Sequence, residues 1–161
     1  METRIGIVTV SDTRSAGKAE DWSGPAVEQA LRTLGFQHFE TRLVPDEARA
    51  VQAAITDLCE SCGAVFTTGG TGFAARDITP EATLPLLDRL APNLPELMRL
   101  RGLQNTPMSH LSRGVAGVRD RTLIVNLPGS PKAAREGVEA LASLLPHILS
   151  ALAGKGCGHE C

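Results

Sequence analysis

The sequence predicts one α/β domain, a three-layer α/β/α arrangement with a mostly parallel central sheet. Three short runs rich in branched apolar residues, 4–10, 64–68 and 122–126, lack polar alternation. Such runs are typical of strands buried on both faces of a parallel sheet. Helical patterns separate these runs, and alternating strands and helices are typical of layered α/β folds. Because 161 residues suit one domain, we expect residues 1–153 to form a single unit.

The first half of the chain contains one further strand and two helices. Segment 38–44 alternates between polar and apolar residues, so we expect it near an edge of the sheet. A helix is predicted over 23–35, with Ser23 as its N-cap and Gly35 at its end. A second helix is predicted over 46–61, with Asp46 as its candidate cap.

The second half shows three further helix starts. Thr79, Pro80 and Glu81 supply a cap, a proline at the first position and an acidic first turn. Asn93 and Glu96 resemble a capping box. The last helix should begin near Ser130 and Pro131, because apolar residues then recur at spacings of four and three along one face. These residues are Ala134, Val138, Leu141, Leu145, Ile148 and Leu152.

The composition argues against nucleic-acid and membrane partners. The net charge is −2, and the chain has no Tyr, one Trp and four Phe. It therefore offers neither a basic surface nor an aromatic platform for stacking bases. Charge or proline interrupts every apolar stretch before it could span a bilayer, and the first residues do not resemble a secretory leader. We expect a cytoplasmic protein.

Four cysteines form two close pairs, Cys59 with Cys62 and Cys157 with Cys161, and His159 lies inside the second pair. Thiolates and imidazole at such spacings could hold structural zinc. The alternative is favoured, because Cys59 falls in a helical pattern and suits a small buried residue. The glycine-rich segment 154–161 is expected to be a flexible tail. Disulfides are not expected in a reducing cytoplasm.

Polar or glycine-rich segments follow each predicted strand, namely 11–14, 45–47, 69–72 and 127–131. The carboxyl ends of parallel strands meet at one edge of the sheet, where α/β proteins bind their ligands. Asp12, Asp46 and Asp77 lie in or just beyond these segments, which ordinary connecting loops would not require. The pattern therefore favours a ligand site at this edge.

Residues 69–72 contain Gly69, Gly70 and Gly72. Without Cβ atoms, successive backbone N–H groups can approach and surround an anion such as a phosphate. The alternative is an ordinary strand-to-helix turn, in which glycines are also common. The segment fits neither the P-loop nor the dinucleotide-binding motif.

Asp77 lies five residues beyond Gly72 and would repel a phosphate unless a divalent cation lay between them. Mg²⁺ prefers one or two carboxylates together with phosphate oxygens. The segment therefore predicts a site for a polyphosphate that carries Mg²⁺. Arg76 could contact phosphate, pair with Asp77 or simply lie on the surface. Asp46 could be a helix cap or a metal or substrate ligand.

Several separate segments together resemble the molybdenum-cofactor biosynthesis domain, which is found in molybdopterin adenylyltransferases and in the G domain of gephyrin-like proteins. They are "VTVSDTR", "DWSGP", "RLVPDE", "TTGGTGFAARDITPEAT", "LSRGVAGVR" and "TLIVNLPGSPKA". The resemblance implies an α/β/α domain, usually a homotrimer, that adenylylates molybdopterin with ATP and Mg²⁺. A separate protein would then insert molybdate. A non-catalytic pterin-binding paralogue and a trimeric scaffold are the alternatives.

The resemblance also assigns residues. Asp46 and Asp77 match the two aspartates associated with catalysis, and both are candidate Mg²⁺ ligands. Further matches to the pocket are Ser11, Asp12 and Ser23, the nucleotide-side residues Gly69, Gly70, Thr71 and Gly72, and the later loop residues Asn126, Pro128, Gly129 and Ser130. Lys132 could assist or could be a solvated lysine in a first helical turn. The tail "GKGCGHEC" matches no motif of the family.

Overall fold

The computed structural model describes residues 2–154 and shows a six-stranded sheet in the order β2-β1-β3-β6-β5-β4. The strands are β1 (Arg4–Val10), β2 (His38–Val44), β3 (Ala64–Thr68), β4 (Arg89–Leu90), β5 (Ala116–Arg119) and β6 (Thr122–Leu127). The first four in this order run parallel, whereas β5 is antiparallel to β6 and β4 is antiparallel to β5. The predicted mostly parallel sheet is confirmed, and β4 and β5 are additions to it.

Helices cover both faces of the sheet. They are α1 (Asp12–Ser15), α2 (Ser23–Thr33), α3 (Ala48–Cys59), α4 (Thr79–Thr83), α5 (Asn93–Gly102), α6 (Pro131–Leu141) and α7 (Leu145–Leu152). One apolar core joins the sheet to α2, α5, α6 and α7, and a second core joins it to α3 and α4. The predicted three-layer arrangement is therefore present.

The burial of the strands follows their sequence patterns. All residues of β3 and β6 are buried, and only Arg4 in β1 is exposed. No residue of β2 is fully buried, and β2 lies at one edge of the sheet as predicted. The central parallel strands thus form a rigid support for the loops at their carboxyl ends.

Two of the predicted helix caps are wrong because other residues precede the helices. Helix α2 begins at Ser23 itself, and Asp21 accepts hydrogen bonds from the N–H groups of Ser23 and Gly24. Helix α3 follows Glu47 without a side-chain cap, so Asp46 does not cap it. The Asp46 carboxylate is therefore available for other contacts.

Of the three helix starts predicted in the second half of the chain, two differ from the prediction and one agrees with it. Helix α5 follows Pro92 without a side-chain cap, so the predicted capping box is wrong. Thr79 is the first residue of α4 rather than its cap, and its hydroxyl donates to the carbonyl of Gly69. Ser130 does cap α6, because its hydroxyl accepts from the N–H of Ala133 at 3.2 Å.

The long last helix predicted from the apolar stripe is two helices, α6 and α7, separated at residues 142–144. Pro146 explains the break, because it cannot donate to the carbonyl four residues earlier and its ring would clash with that carbonyl. Leu141 and Leu145, on either side of the break, are both buried. The apolar face therefore continues across the change of helix.

Two sequence predictions concern the C-terminal tail and the absence of a membrane span. Cys157, His159 and Cys161 lie outside the described residues, as does most of the predicted tail. Within residues 2–154, no helix combines the length and the apolar character needed to cross a membrane.

Candidate functional site

The loops that follow the four parallel strands meet at one edge of the sheet, as predicted. The N–H of Ser11, after β1, donates to the carbonyl of Val44 at the end of β2. The N–H of Gly69, after β3, donates to the carbonyl of Leu127 at the end of β6. These hydrogen bonds hold the four loops against one another.

Gly69 is required for this close packing, and its N–H already donates to the carbonyl of Leu127. Its φ is +100°, and a Cβ there would lie 2.3 Å from the carbonyl oxygen of Val10. Only glycine fits a position with both properties. Within residues 2–154, the next three N–H groups, of Gly70, Thr71 and Gly72, have no acceptor. These three groups are the ones that could bind an anion.

Gly70 and Gly72 leave room for two carboxylates. A Cβ at Gly70 would lie 3.0 Å from Asp46 Oδ1 and 2.3 Å from Thr79 Oγ1. A Cβ at Gly72 would lie 2.8 Å from Asp77 Oδ2. The glycines therefore bring bare backbone into direct contact with both candidate catalytic aspartates, a relation that their spacing in the sequence does not show.

Asp12 and Asp46 hold each other through a reciprocal pair of hydrogen bonds. The N–H of Asp12 donates to Asp46 Oδ2 at 2.8 Å, and the N–H of Asp46 donates to Asp12 Oδ1 at 3.0 Å. Arg76 donates from Nε and Nη2 to the two oxygens of Asp12 at 2.7 and 2.8 Å. Arg76 therefore pairs with Asp12 and not with its neighbour Asp77.

The surroundings of Asp12 and Asp46 shift the pKa values of their carboxyl groups in opposite directions. The hydrogen bond from Arg76 lowers the pKa of Asp12 below its usual range. Burial raises the pKa of Asp46, and the negative charges of Asp12 and Asp77 raise it further. The guanidinium is already paired with Asp12, so Asp46 carries the unfavourable charge in this group, and a cation beside it would relieve that cost.

Asp77 is fixed by its own turn. Its Oδ2 accepts from the N–H of Ala74 at 2.9 Å, and its N–H donates to the carbonyl of Ala74, also at 2.9 Å. The side chain is half-buried, and in the described part of the chain no donor reaches Oδ1. One oxygen therefore fixes the carboxylate and the other is free to bind a ligand.

A cavity of about 420 Å³ opens beside Asp77. The predicted residues that line it are Gly70, Thr71, Gly72, Asp77, Asn126, Pro128, Gly129 and Ser130. The rest of the wall comes from α5, α6 and the 3-10 turn Pro107–Leu111, and includes Met98, Arg99, Met108, Leu111 and Glu136. The predicted residues Ser11, Asp12, Ser23 and Asp46 are not part of this wall.

Two of the predicted residues use their side chains to hold the fold together. The buried Asn126 amide donates to the hydroxyls of Thr67 and Thr83 and accepts from the N–H of Val115. The Ser23 hydroxyl is fully buried and donates to Asp21 Oδ1. Every side-chain N–H and O–H donor of Asn126 and Ser23 therefore has an acceptor within the fold.

The loop after β6 contributes Pro128, Gly129 and Ser130 to the cavity wall. The Pro128 carbonyl accepts from Thr68 Oγ1 at 2.7 Å, and a Cβ on Gly129 would lie 3.2 Å from the Cα of Gly69. Ser130 caps α6, which places the N-terminus of this eleven-residue helix at the cavity wall. Backbone N–H groups at such an end favour anions.

The wall residues from α5 and from the 3-10 turn were not identified from the sequence. Met98, Arg99 and Glu136 occupy ordinary helical positions, and no spacing rule marks them as cavity residues. Arg113, described below, does lie within one of the quoted segments, "LSRGVAGVR". That segment was the available signal for it.

The donor groups near Asp77 fit Mg²⁺ in part. Asp46 and Asp77 supply carboxylate oxygens, the type of ligand that Mg²⁺ prefers. Residues 2–154 contain no group of three or more His, Cys, Asp or Glu side chains able to hold a metal ion. A magnesium ion there would take further ligands from phosphate oxygens and water, which is its usual mode of binding at phosphate sites.

Comparisons with known proteins agree with the fold. Residues 6–147 match the family described as "Probable molybdopterin binding domain". A molybdopterin adenylyltransferase from Helicobacter pylori (strain J99) is 40% identical over 154 residues, which are 93% of this chain and 88% of the relative. The Escherichia coli (strain K12) molybdopterin adenylyltransferase is 44% identical over 142 residues, 86% and 73% of the two chains.

A solved structure is similar over almost the whole chain. The crystal structure of the molybdopterin biosynthesis enzyme MoaB from Thermus thermophilus has 51% sequence identity and a TM-score of 0.90. The match covers 95% of this chain and 98% of the other.

Proposed function

The chain belongs to the "Probable molybdopterin binding domain" family, and we propose that it is a molybdopterin adenylyltransferase. In this reaction AMP passes from ATP to the terminal phosphate of molybdopterin. The observation that carries the proposal is the cavity beside Asp77, where three free N–H groups and a carboxylate border an apolar wall. Curated relatives with that name, 40% and 44% identical, support it.

The cavity has two chemically different parts. Gly70, Thr71 and Gly72 offer backbone N–H groups that suit phosphate oxygens. Met98, Met108 and Leu111 offer apolar surface of the kind that contacts a flat heterocyclic ring. A pterin that carries a phosphate has both features, so the cavity suits it as a class of ligand.

The reaction requires no strong base. A phosphate monoester has a second pKa of about 6, so at pH 7 it is already largely dianionic. One of its oxygens forms a bond to the α-phosphorus of ATP as the bond from that phosphorus to the bridging oxygen breaks. Pyrophosphate leaves with the electron pair. The protein therefore has to hold the two substrates in line and to offset their charge.

Asp77 and Asp46 would hold Mg²⁺ in this proposal. When bound, Mg²⁺ neutralises negative charge on the phosphates and orients them. Asp77 contributes its free Oδ1, and Asp46 contributes Oδ1 beside Gly70. The raised pKa of Asp46 means that its carboxylate gains more from a cation than an ordinary surface aspartate would.

The N-terminus of α6 and the side chain of Lys132 are two further groups that could contact the substrates. The N-terminus of α6 at Ser130 could bind a second anionic group of the substrates. Lys132 has a side chain that is 73% exposed and lies 3.9 Å from Glu136 of its own helix. Its exposure favours a solvated lysine, and we assign it no role in the proposed reaction.

We also propose a cytoplasmic homotrimer that passes its product to a separate molybdate-insertion protein. These features come from the family resemblance, and the trimer has a direct test. Light scattering at micromolar concentration should give three times the mass of the 17.0 kDa chain. A monomer mass would contradict this part of the proposal.

The activity itself is tested by incubating the purified protein with molybdopterin, ATP and Mg²⁺. Mass spectrometry should detect adenylylated molybdopterin together with an equal amount of pyrophosphate. Chelation of Mg²⁺ should stop product formation, and returning Mg²⁺ should restore it. ATP consumption without the adenylylated pterin, or no consumption at all, would contradict the proposed function.

A further inference from the structure

Arg113 joins several parts of the segment that carries Asp77, which we call the glycine loop (residues 69–77). Its backbone N–H donates to the carbonyl of Thr71 at 2.8 Å. Its Nε donates to the carbonyl of Gly72 at 2.8 Å, and its Nη2 donates to the carbonyl of Asp77, also at 2.8 Å. One residue from the other half of the chain thus binds three carbonyls of the glycine loop.

These hydrogen bonds fix the orientation of peptide planes. A trans peptide is planar, so its N–H points away from its carbonyl. Holding the carbonyl of Thr71 therefore fixes the direction of the Gly72 N–H, and holding the carbonyl of Gly72 fixes that of the Phe73 N–H. The backbone N–H of Arg113 thus orients the Gly72 N–H, whereas its side chain orients the Phe73 N–H and holds the peptide that follows Asp77.

Arg113 is itself held from two sides. Its guanidinium pairs with the Glu81 carboxylate on α4, and that pairing lowers the pKa of Glu81. The guanidinium also lies 5.7 Å from the centre of the Phe73 ring, within the range of a cation–π contact. Phe73 is 74% exposed, so it adds little burial of its own. Glu81 thus offsets the charge of Arg113, and the guanidinium is fixed beside the glycine loop.

We propose that Arg113 is a positioning residue for adenylyl transfer: it holds the glycine loop so that the Asp77 carboxylate and the neighbouring N–H groups are correctly placed before substrates bind. This inference rests on the proposed function. Arg113 lines no part of the cavity beside Asp77, so it acts through the loop and not on the reacting atoms.

The contacts require a guanidinium. Nε and Nη2 reach two carbonyls while Nη1 meets Glu81, and these donors form a rigid planar fork. A lysine ammonium is a single point that cannot span these positions. Arg113→Lys should therefore keep the charge beside Glu81 and still lose the orientation of the loop.

The test compares Arg113→Ala and Arg113→Lys with a matched control, Arg119→Ala. Arg119 also donates to a backbone carbonyl, that of Leu86, but outside the glycine loop. Both Arg113 variants should lower kcat by about 100-fold, the cost of a misplacement of roughly 1 Å. The fall in kcat should exceed any rise in the KM for molybdopterin, because Arg113 does not hold Met98, Met108 and Leu111, the apolar surface proposed to contact the pterin ring. The control should retain wild-type kcat.

Two further measurements separate positioning from a general loss of structure. Hydrogen exchange of Ala74 and Asp77, whose N–H groups are hydrogen-bonded within the glycine loop, should accelerate in Arg113→Ala, while exchange in β1, β3 and β6 stays as in the wild type. Millimolar ethylguanidinium should restore part of kcat and slow the exchange again in Arg113→Ala. If Arg113→Ala does not fold, the kcat and the hydrogen exchange of Arg113→Lys decide the matter, without the chemical rescue.

Unchanged exchange of both Ala74 and Asp77 in either variant would overturn the proposal, as would wild-type kcat in Arg113→Lys. The exchange measurement needs no substrate. A wild-type protein that forms no adenylylated pterin would therefore refute the proposed function, whereas unchanged exchange would refute the role of Arg113 in holding the loop.

Discussion

Asp12 and Asp46 each accept a hydrogen bond from the backbone N–H of the other, at 3.0 and 2.8 Å. This pair ties the loop after β1 to the loop after β2 and places two carboxylates side by side. Arg76 forms its salt bridge with Asp12, and its charge also lowers the pKa of Asp46 without a salt bridge. Burial nevertheless leaves the pKa of Asp46 raised, so the ionised carboxylate of Asp46 lowers the stability of the fold.

Asp46→Asn should abolish most of the activity and slightly stabilise the fold. The amide keeps the acceptor for the Asp12 N–H and removes a charge whose pKa is raised by burial and by neighbouring carboxylates. At pH 7 we expect a rise in Tm on the order of 2 °C. Thermal unfolding followed by circular dichroism measures this difference.

The pH dependence of that difference has a definite sign. A raised pKa in the folded protein means that the wild type loses stability as pH rises through it. The advantage of Asp46→Asn should therefore be absent below the usual aspartate pKa of about 3.9 and grow through the acid range. A variant less stable than the wild type at pH 7 would contradict the account of Asp46.

Gly72→Ala should impair activity more than stability. The added Cβ would meet Asp77 Oδ2, the end of a side chain that can turn away only by giving up its hydrogen bond from the Ala74 N–H. We expect a loss of Mg²⁺-dependent activity of about 100-fold, because the carboxylate moves by roughly an ångström. The rate and the Tm of the purified variant are to be measured together.

Gly70→Ala is the comparison for that variant. Gly70 has a φ of +66°, and its Cβ would lie 2.3 Å from Thr79 Oγ1, so strain and a clash both oppose alanine. The free energy of unfolding should fall by about 1–3 kcal/mol. Equal stability of the two variants would show that the two glycines do not have the distinct roles assigned to them.

Asn126→Ala should destabilise the protein rather than weaken ligand binding specifically. Its amide makes three hydrogen bonds in a fully buried place, and alanine would leave the N–H of Val115 without its acceptor. We expect a loss of about 2–4 kcal/mol in urea unfolding. Wild-type stability with lost pterin affinity would instead make Asn126 a direct ligand.

Cys59 and Cys62 should react slowly with iodoacetamide. Burial raises the pKa of both thiols, and only the thiolate is nucleophilic. Peptide mapping by mass spectrometry at pH 8 should show slower labelling of both residues in the folded protein than in urea. Labelling at the same rate in both conditions would show that the thiols are accessible.

The sequence was sufficient for the central strands and for the edge where their loops meet, because buried parallel strands are continuous apolar runs. It missed β4, which has only two residues, and β5, which lies in a segment containing Gly114 and Gly117. It also missed Arg113, because two of the partners of its side chain are carbonyls 36 and 41 residues away and a third, Glu81, is also distant in sequence. Backbone acceptors leave no mark in the pattern of residue types.

The same limit applies to the site. The glycines and Asp77 were identified together, but their contact depends on how the loop folds back. Residue types alone also could not show that the Asn126 amide is used within the fold. The break before α7 could have been predicted from Pro146. A single helix was predicted instead because the apolar stripe continues across the break.

The central claim is that Asp77 beside the free N–H groups of the glycine loop supports Mg²⁺-dependent adenylyl transfer. Its most direct test measures formation of adenylylated molybdopterin by the wild type, Asp77→Asn and the control Asp57→Asn across a magnesium titration. Asp57 is an exposed aspartate paired with Arg42. Asp77→Asn should fold and bind pterin normally but react on the order of 10²–10³-fold more slowly, with Asp57→Asn unchanged. A wild-type rate in Asp77→Asn at every magnesium concentration would contradict the account.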